Sequence, residues 1–195
     1  MGKVVTKAAR LSNALQVGSR VFIRAPASDD RDELVALNRA SRRFHQGWVS
    51  PPTASEQFAA YLERCRQEDF AGFLVCRKND GEIIGAVNLS QIARGNFQSA
   101  FMGFYAGARF AGQGYMTEAL QLVLQHAFAR LKLHRLEANI QPHNATSIAL
   151  VKRVGFALEG YSRRYLKIAG RWCDHERWAV LAEDWRAKRM ARPKK

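Results

Sequence analysis

The chain has 195 residues, 47% of them hydrophobic, which fits one domain with a sizeable core. No apolar run approaches the roughly 18 residues of a membrane span, and Met1 to Gly18 lacks the compact apolar stretch of a secretory signal. Of the net charge of +14, residues 1–19 and 186–195 carry +9 with no acid, so the body carries only +5 and charge alone does not define a nucleic-acid-binding protein.

Residues 1–19 read as a flexible basic lead-in, 20–185 as the folded domain and 186–195 as a basic tail. Arg20 to Arg24 reads as a first strand ended at Pro26. Ser28 and Asp29 can cap a helix carrying Leu34, Val35, Leu37 and Ala40 on one side. A loop through Phe44, His45, Trp48 and Pro51-Pro52 follows, with His45 and Trp48 open to lining a substrate mouth or to plain loop packing. Thr53-Ala54-Ser55-Glu56 suits a capping box for a helix to about Glu68. Phe70 to Arg77 is a strand, Asn79-Asp80-Gly81 a tight turn, and Ile83 to Leu89 the returning strand. After Arg94-Gly95-Asn96, Ser99 to Tyr105 forms a fourth strand.

The order then becomes strand, Gly-containing loop, helix, strand, helix. Met116, Leu120, Val123, Leu124, Ala127 and Leu131 give the first of these helices one buried face. Arg135 to Gln141 is the next strand, Ala145 to Val154 a helix stopped by Gly155, and Phe156 onward a strand. The whole reads as one α/β domain, antiparallel first and parallel around the loop. Cys65, Cys76 and Cys173 are scattered without metal-ligand spacing, so they read as free thiols of a cytoplasmic protein with no metal site.

Arg109-Phe110-Ala111-Gly112-Gln113-Gly114 turns a strand into a helix. Such a turn presents unpaired N–H groups at the positive end of a helix dipole, and glycines let the backbone curl round a phosphate. The same six residues also suit a plain strand-to-helix turn. A dinucleotide fingerprint would need a third small residue near Thr117, and a P-loop would need Gly-Lys-Ser/Thr; neither is present.

Phe101-Met102-Gly103-Phe104-Tyr105, the loop Arg109 to Gly114, and Asn144-Ala145-Thr146-Ser147 with Lys152-Arg153-Val154-Gly155-Phe156 resemble the GNAT acyl-CoA transferase superfamily. Glu82-Ile83-Ile84-Gly85, His134-Arg135-Leu136, Pro142-His143-Asn144 and Gly170-Arg171-Trp172-Cys173-Asp174-His175 resemble its RimJ type, the ribosomal-protein alanine N-acetyltransferases. The similarity covers about residues 20–185. It implies a mixed, mostly antiparallel sheet flanked by helices and splayed between the fourth and fifth strands, with acetyl-CoA in the split as acetyl donor. On that resemblance the coenzyme is bound by Phe104, Tyr105, Ala106, Arg109, Phe110, Ala111, Gly112, Gln113, Gly114, Tyr115, Met116, Thr117, Asn144, Ser147 and Arg153.

The implied reaction is direct attack of an amine on the thioester, with Ser147 serving the departing thiolate and a backbone N–H near Phe104 serving the oxyanion. Some GNAT enzymes place a glutamate five residues before the asparagine and a tyrosine seven after; here those positions are Asn139 and Val151. RimL-type members carry an acid before the Tyr-Leu of the next hairpin, where this chain has Arg164. Glu137, two residues from Asn139 on the same strand face, is the nearest remaining carboxylate, so Glu137 or Asn139 acting through water is the expected base. Asp174 and His175 are adjacent in a strand, so only one of them can face the site.

An α-amine with pKa about 7.8 is roughly one-seventh neutral at pH 7, against about one part in 2,500 for a lysine near 10.4. A site without a strong base therefore suits a protein N-terminus, a ribosomal protein among the candidates. The alternatives are a small-molecule amine acceptor, against which the basic stretch Arg163, Arg164, Lys167, Arg171 argues for polyamines, and a non-catalytic ribosome- or RNA-binding protein whose basic tails touch nucleic acid. Monomer and homodimer are both compatible with the sequence.

Overall fold

The computed structural model describes residues 7–190; the ends of the two basic tails, 1–6 and 191–195, lie outside the described residues. Eight strands form one sheet: β1 (Gln16–Val17), β2 (Val21–Arg24), β3 (Phe70–Arg77), β4 (Ile83–Ala93), β5 (Ser99–Ala106), β6 (Arg135–Ile140), β7 (Ala157–Ile168) and β8 (Arg171–Leu181). Their spatial order is β1-β2-β3-β4-β5-β6-β8-β7, antiparallel throughout except for β5 against β6. The helices are α1 (Lys7–Ser12), α2 (Arg31–Ala40), α3 (Arg42–His45), α4 (Ser55–Arg64), α5 (Tyr115–Ala129), α6 (Ala145–Val154) and α7 (Ala182–Met190).

Strand alternation assigns the two faces. Phe73, Val87 and Phe104 are cross-strand neighbours, and the Phe73 ring meets His126 of α5 edge-on. Tyr105 and Ala86 therefore point to the opposite face, where Asn38 of α2 reaches the Tyr105 hydroxyl and Tyr61 of α4 bonds Asn88. Val21, Ile23, Leu74, Val75, Ile84 and Val87 are fully buried because the sheet is covered on both sides there. On α5, Ala119, Leu120, Val123, Leu124 and Ala127 are also at 0% exposure, the stripe that the sequence period requires.

Several boundaries differ from the sequence reading. The lead-in is structured from Lys7: α1 anchors Arg10, whose guanidinium bonds Gly81 O at 3.0 Å and Glu33 at 2.6 Å, and Leu15 N donates to Ile23 O at 2.8 Å. A two-residue strand carries little periodicity, so β1 was invisible in the pattern. The expected C-terminal tail begins inside α7, whose Trp185 packs on Phe128 with ring centroids 5.6 Å apart. Ser28–Asp30 forms a 3-10 turn instead of a helix cap; the Asp30 carboxylate is buried against Arg24 and accepts from Ala27 N. On α2 the buried set is Leu34, Val35, Leu37 and Asn38, with Ala40 exposed. The cap ahead of α4 is made by Gln57, whose Oε1 accepts from Thr53 N at 2.7 Å, and α4 ends at Arg64, short of Glu68.

The three cysteines are free, and burial pushes the Cys76 thiol up to about 11, out of the reactive range. Among the described residues no His, Cys, Asp or Glu group could hold a metal, and no helix is long and apolar enough to cross a membrane.

Candidate active site

β5 and β6 pair only at Ser99–Arg135, Ala100–Leu136 and Phe101–Glu137. Beyond Phe101, β5 stays with β4 as far as Ala106, while β6 stays with β8 as far as Ile140. The sheet is therefore split, and the backbone of Met102 to Ala106 forms a local edge inside it. Such an edge can pair with an extended ligand as with a strand.

One segment spans the mouth of the split on the Tyr105 face. On the β5 side, Ala108 N donates to Ser41 Oγ at 2.9 Å and His45 Nε2 donates to Ala106 O at 2.8 Å. On the β6 side, Gln141 Nε2 donates to Gly47 O at 2.7 Å and Trp48 stacks near His143 at 5.0 Å. Gly47 sits at φ +84°, a conformation that suits glycine.

The glycine loop follows β5. Ala108–Phe110 is a 3-10 turn, Phe110 is buried, and Gly112 and Gly114 take φ +74° and +80°. Gly114 is the N-cap of α5. Among the described residues nothing accepts from the backbone N–H groups of Gly112, Gln113, Gly114, Tyr115 and Met116; the first helical bond is from Thr117 N to Gly114 O, at 3.2 Å. A Cβ on Gly112 would meet nothing within 4 Å, so the cradle is open. Five bare donors, two left-handed glycines and a helix dipole fit a diphosphate.

Three arginines stand around this loop, each with its own partners. Arg109 is ion-paired with Glu82 and its guanidinium lies over the Phe110 ring at 4.7 Å. Arg20, at the start of β2, donates from Nη1 to Gln113 O at 3.0 Å and stands 4.2 Å over the Tyr115 ring. A hydrogen bond from Arg20 draws the Tyr115 hydroxyl below its usual range. Arg153 Nη1 reaches Thr117 Oγ1 at 3.5 Å, and a groove of about 700 Å³ between α5 and α6 is lined by Thr117, Gln121, Lys152, Arg153, Gly155 and Lys188. Glu118 ties the loop helix to the sheet by accepting from Ser19 Oγ, Arg20 N and Val21 N.

Asn144 caps α6, its Oδ1 accepting from Ser147 N at 3.1 Å, and Gly155 at φ +114° ends the helix. Asn144 and Ser147 are half-buried in the turn that follows β6, beside the split. Glu137 and Asn139 share the Tyr105 face by register, yet their surroundings differ from a free base. Glu137 Oε1 accepts from Arg135 Nε at 2.9 Å, and Arg135 also clasps Glu159. Asn139 Oδ1 is buried with no donor among the described residues, and an amide does not titrate in this range. Asp174 and His175 do not pair: Asp174 accepts from Tyr161 Oη and Arg164 N, while buried His175 donates from Nδ1 to Cys173 O at 3.0 Å.

The contacts around the split that the local sequence does not show are Arg20 with Gln113, Asn38 with Tyr105, Gln141 with Gly47 and His45 with Ala106. No motif joins them, because the partners lie far apart in the chain and meet only in the folded structure.

A split parallel strand pair, an anion cradle at the α5 N-terminus and a capped helix across the gap define an acyl-CoA transferase site. The family profile described as "Acetyltransferase (GNAT) domain" matches residues 20–157, and the chain belongs to this family. It is an acetyl-CoA-dependent N-acetyltransferase of RimJ-like type. The Bacillus subtilis (strain 168) protein named probable N-acetyltransferase YjcK is 33% identical over 175 residues, 86% of this chain and 97% of that one. The [ribosomal protein uS5]-alanine N-acetyltransferase of Escherichia coli (strain K12) is 39% identical over 107 residues, 55% of each. The structure of Mycobacterium smegmatis RimJ in complex with CoA-disulfide superposes with TM-score 0.77 at 27% identity, covering 84% of this chain and 82% of that one.

Proposed function

We propose that the protein transfers the acetyl group to the N-terminal α-amine of a protein, with a ribosomal protein as the first candidate. The observation that carries this is the state of Glu137: the carboxylate nearest the split is tied to Arg135, so the site has no free carboxylate base on that strand. Such a site favours an amine already partly neutral near pH 7, as an α-amine is and a lysine is not. The relative acting on ribosomal protein uS5 supports the same acceptor class.

Acetyl-CoA supplies an acetyl thioester already activated for transfer to nitrogen. The five bare N–H groups of Gly112 to Met116 hold the pyrophosphate, with Arg20 and Arg153 supplying charge at its flanks. The edge formed by Phe104, Tyr105 and Ala106, whose last carbonyl accepts from His45, aligns the pantetheine arm, and an N–H near Phe104 polarises the acetyl carbonyl. Asn144 fixes the first turn of α6, which presents the Ser147 hydroxyl to the sulfur.

The test uses purified protein, acetyl-CoA and peptides beginning with Ala or Ser that also contain an internal lysine, at pH 7–9. Mass spectrometry should find one acetyl group, on the terminus. Unmodified peptides, or acetylation confined to lysine, would contradict the proposal.

A further inference from the structure

The groove between α5 and α6 begins at the glycine cradle. One wall is Gly114 at the helix cap, then Thr117, Gln121 and Gln125, which fall on one face of α5 and carry the groove down the helix. The opposite wall joins the end of α6 to α7, whose Trp185 and Lys188 are three residues apart and share a face. Trp185 packs on Phe128 of α5, and Lys188 Nζ donates to Gly155 O at 3.3 Å. Helix α7 therefore bridges α5 and the end of α6, and it lies outside the residues 20–157 that the family profile matches.

The lining combines two chemistries. Leu122, Val154 and Trp185 supply apolar surface. Lys152, Arg153 and Lys188 set three cations against one carboxylate, Glu118, which already accepts from Ser19 Oγ, Arg20 N and Val21 N. Lys152 is engaged elsewhere, its Nζ 5.1 Å from the Trp178 ring. Arg153 stands at the first turn of α5 beside Thr117. Lys188 uses one of its three N–H donors on Gly155 O and keeps two. Among the described residues neither Arg153 nor Lys188 is ion-paired.

Coenzyme A carries a third phosphate, on the 3′-oxygen of the same ribose whose 5′-oxygen bears the pyrophosphate, and the adenine ring is attached to that ribose as well. A pyrophosphate on Gly112 to Met116 therefore brings a second anion and a flat, largely apolar ring to the start of this groove. We propose that α7 clasps the 3′-phosphate through Lys188, with Arg153 on the α6 side, so that Lys188 makes the enzyme select CoA over 3′-dephospho-CoA. The proposal rests on the reading of the glycine loop as the pyrophosphate seat and is independent of the acceptor amine. A phosphate monoester is close to doubly charged at pH 7, and its bonds to an ammonium are stronger than those between neutral groups.

Calorimetric titration of the full chain with CoA and with 3′-dephospho-CoA tests this without any acceptor. The wild type should bind CoA about tenfold tighter or more, the size of one charge-assisted hydrogen bond. Lys188→Met keeps the apolar stem and removes the charge. It should weaken CoA about tenfold and leave 3′-dephospho-CoA within about twofold, and Lys188→Arg should restore much of the CoA affinity. Equal affinity of the wild type for the two ligands would overturn the proposal. So would equal weakening of both by Lys188→Met, which would make Lys188 only a prop for Gly155. An undiminished preference for CoA in that variant would also overturn it, leaving the phosphate to the cations of α6. Arg20→Ala tests the underlying reading separately, because it should weaken both ligands alike. If it weakens neither, the loop reading fails by itself, and the Lys188 comparison still decides where the 3′-phosphate is held.

Discussion

Phe101 on β5 stands opposite Glu137 on β6, and this is the last pair the two parallel strands make before they part. One side of the split then carries the backbone edge of Met102 to Ala106, its last carbonyl taken by His45. The other carries Asn139 and, after the turn, Asn144 and Ser147. The opening thus lies between strands far apart in the chain, and the segment Ser41–Trp48 closes its mouth.

Gly103 lies on the Tyr105 face of this opening, and a Cβ there would meet nothing within 4 Å. Gly103→Leu should therefore keep stability within about 0.5 kcal/mol, as for other uncrowded positions. It should raise KM for the amine while leaving acetyl-CoA affinity unchanged. Denaturant titration, calorimetry and steady-state kinetics separate the three quantities.

Arg20 and Arg109 both flank the glycine loop, but only Arg20 has its guanidinium on the loop backbone. Arg20→Ala should weaken acetyl-CoA about tenfold, near the 1.4 kcal/mol of one charge-assisted hydrogen bond. Arg109→Ala gives up an exposed pair with Glu82 and should change affinity by less than about threefold. Equal losses in titrations of the two variants would place Arg109 on the phosphates as well.

Asp30 is buried between Arg24, at 2.7 Å, and Arg10, at 3.6 Å. Removing it strands the Arg24 guanidinium in the core beside Cys76. Asp30→Ala should cost about 3–5 kcal/mol, whereas an exposed pair such as Arg31–Asp32 should contribute little. Urea unfolding of the two variants tests the contrast.

Burial, and secondarily Arg130, holds His126 below its ordinary value of 6.5, and its Nδ1 has no donor or acceptor partner among the described residues. The unfolded chain therefore takes up this proton at higher pH than the folded one. Stability from the neutral ring is full above about 6.5 and is lost as pH falls toward the depressed folded value. His126→Phe should flatten that part of the Tm-versus-pH curve; an unchanged slope would mean the ring does not contribute.

What the sequence determined was local. The periodicity of Leu120, Val123, Leu124 and Ala127 defined α5, the Asn79-Asp80-Gly81 turn set the β3–β4 hairpin, and Asn144 and Gly155 bounded α6, because helix faces, turn geometry and caps depend on neighbouring residues. The glycine loop was legible for the same reason, since φ beyond +70° at Gly112 and Gly114 is a requirement on two residues. Tertiary structure decided which charges and lone pairs are free. Arg109 turns to Glu82, Glu137 to Arg135, and Arg20 comes to Gln113 across 93 positions of chain. His45 reaches Ala106 across 61. A side chain's chemistry at the site is set by the partner it meets, and those partners meet only after β5 and β6 have taken their places and separated.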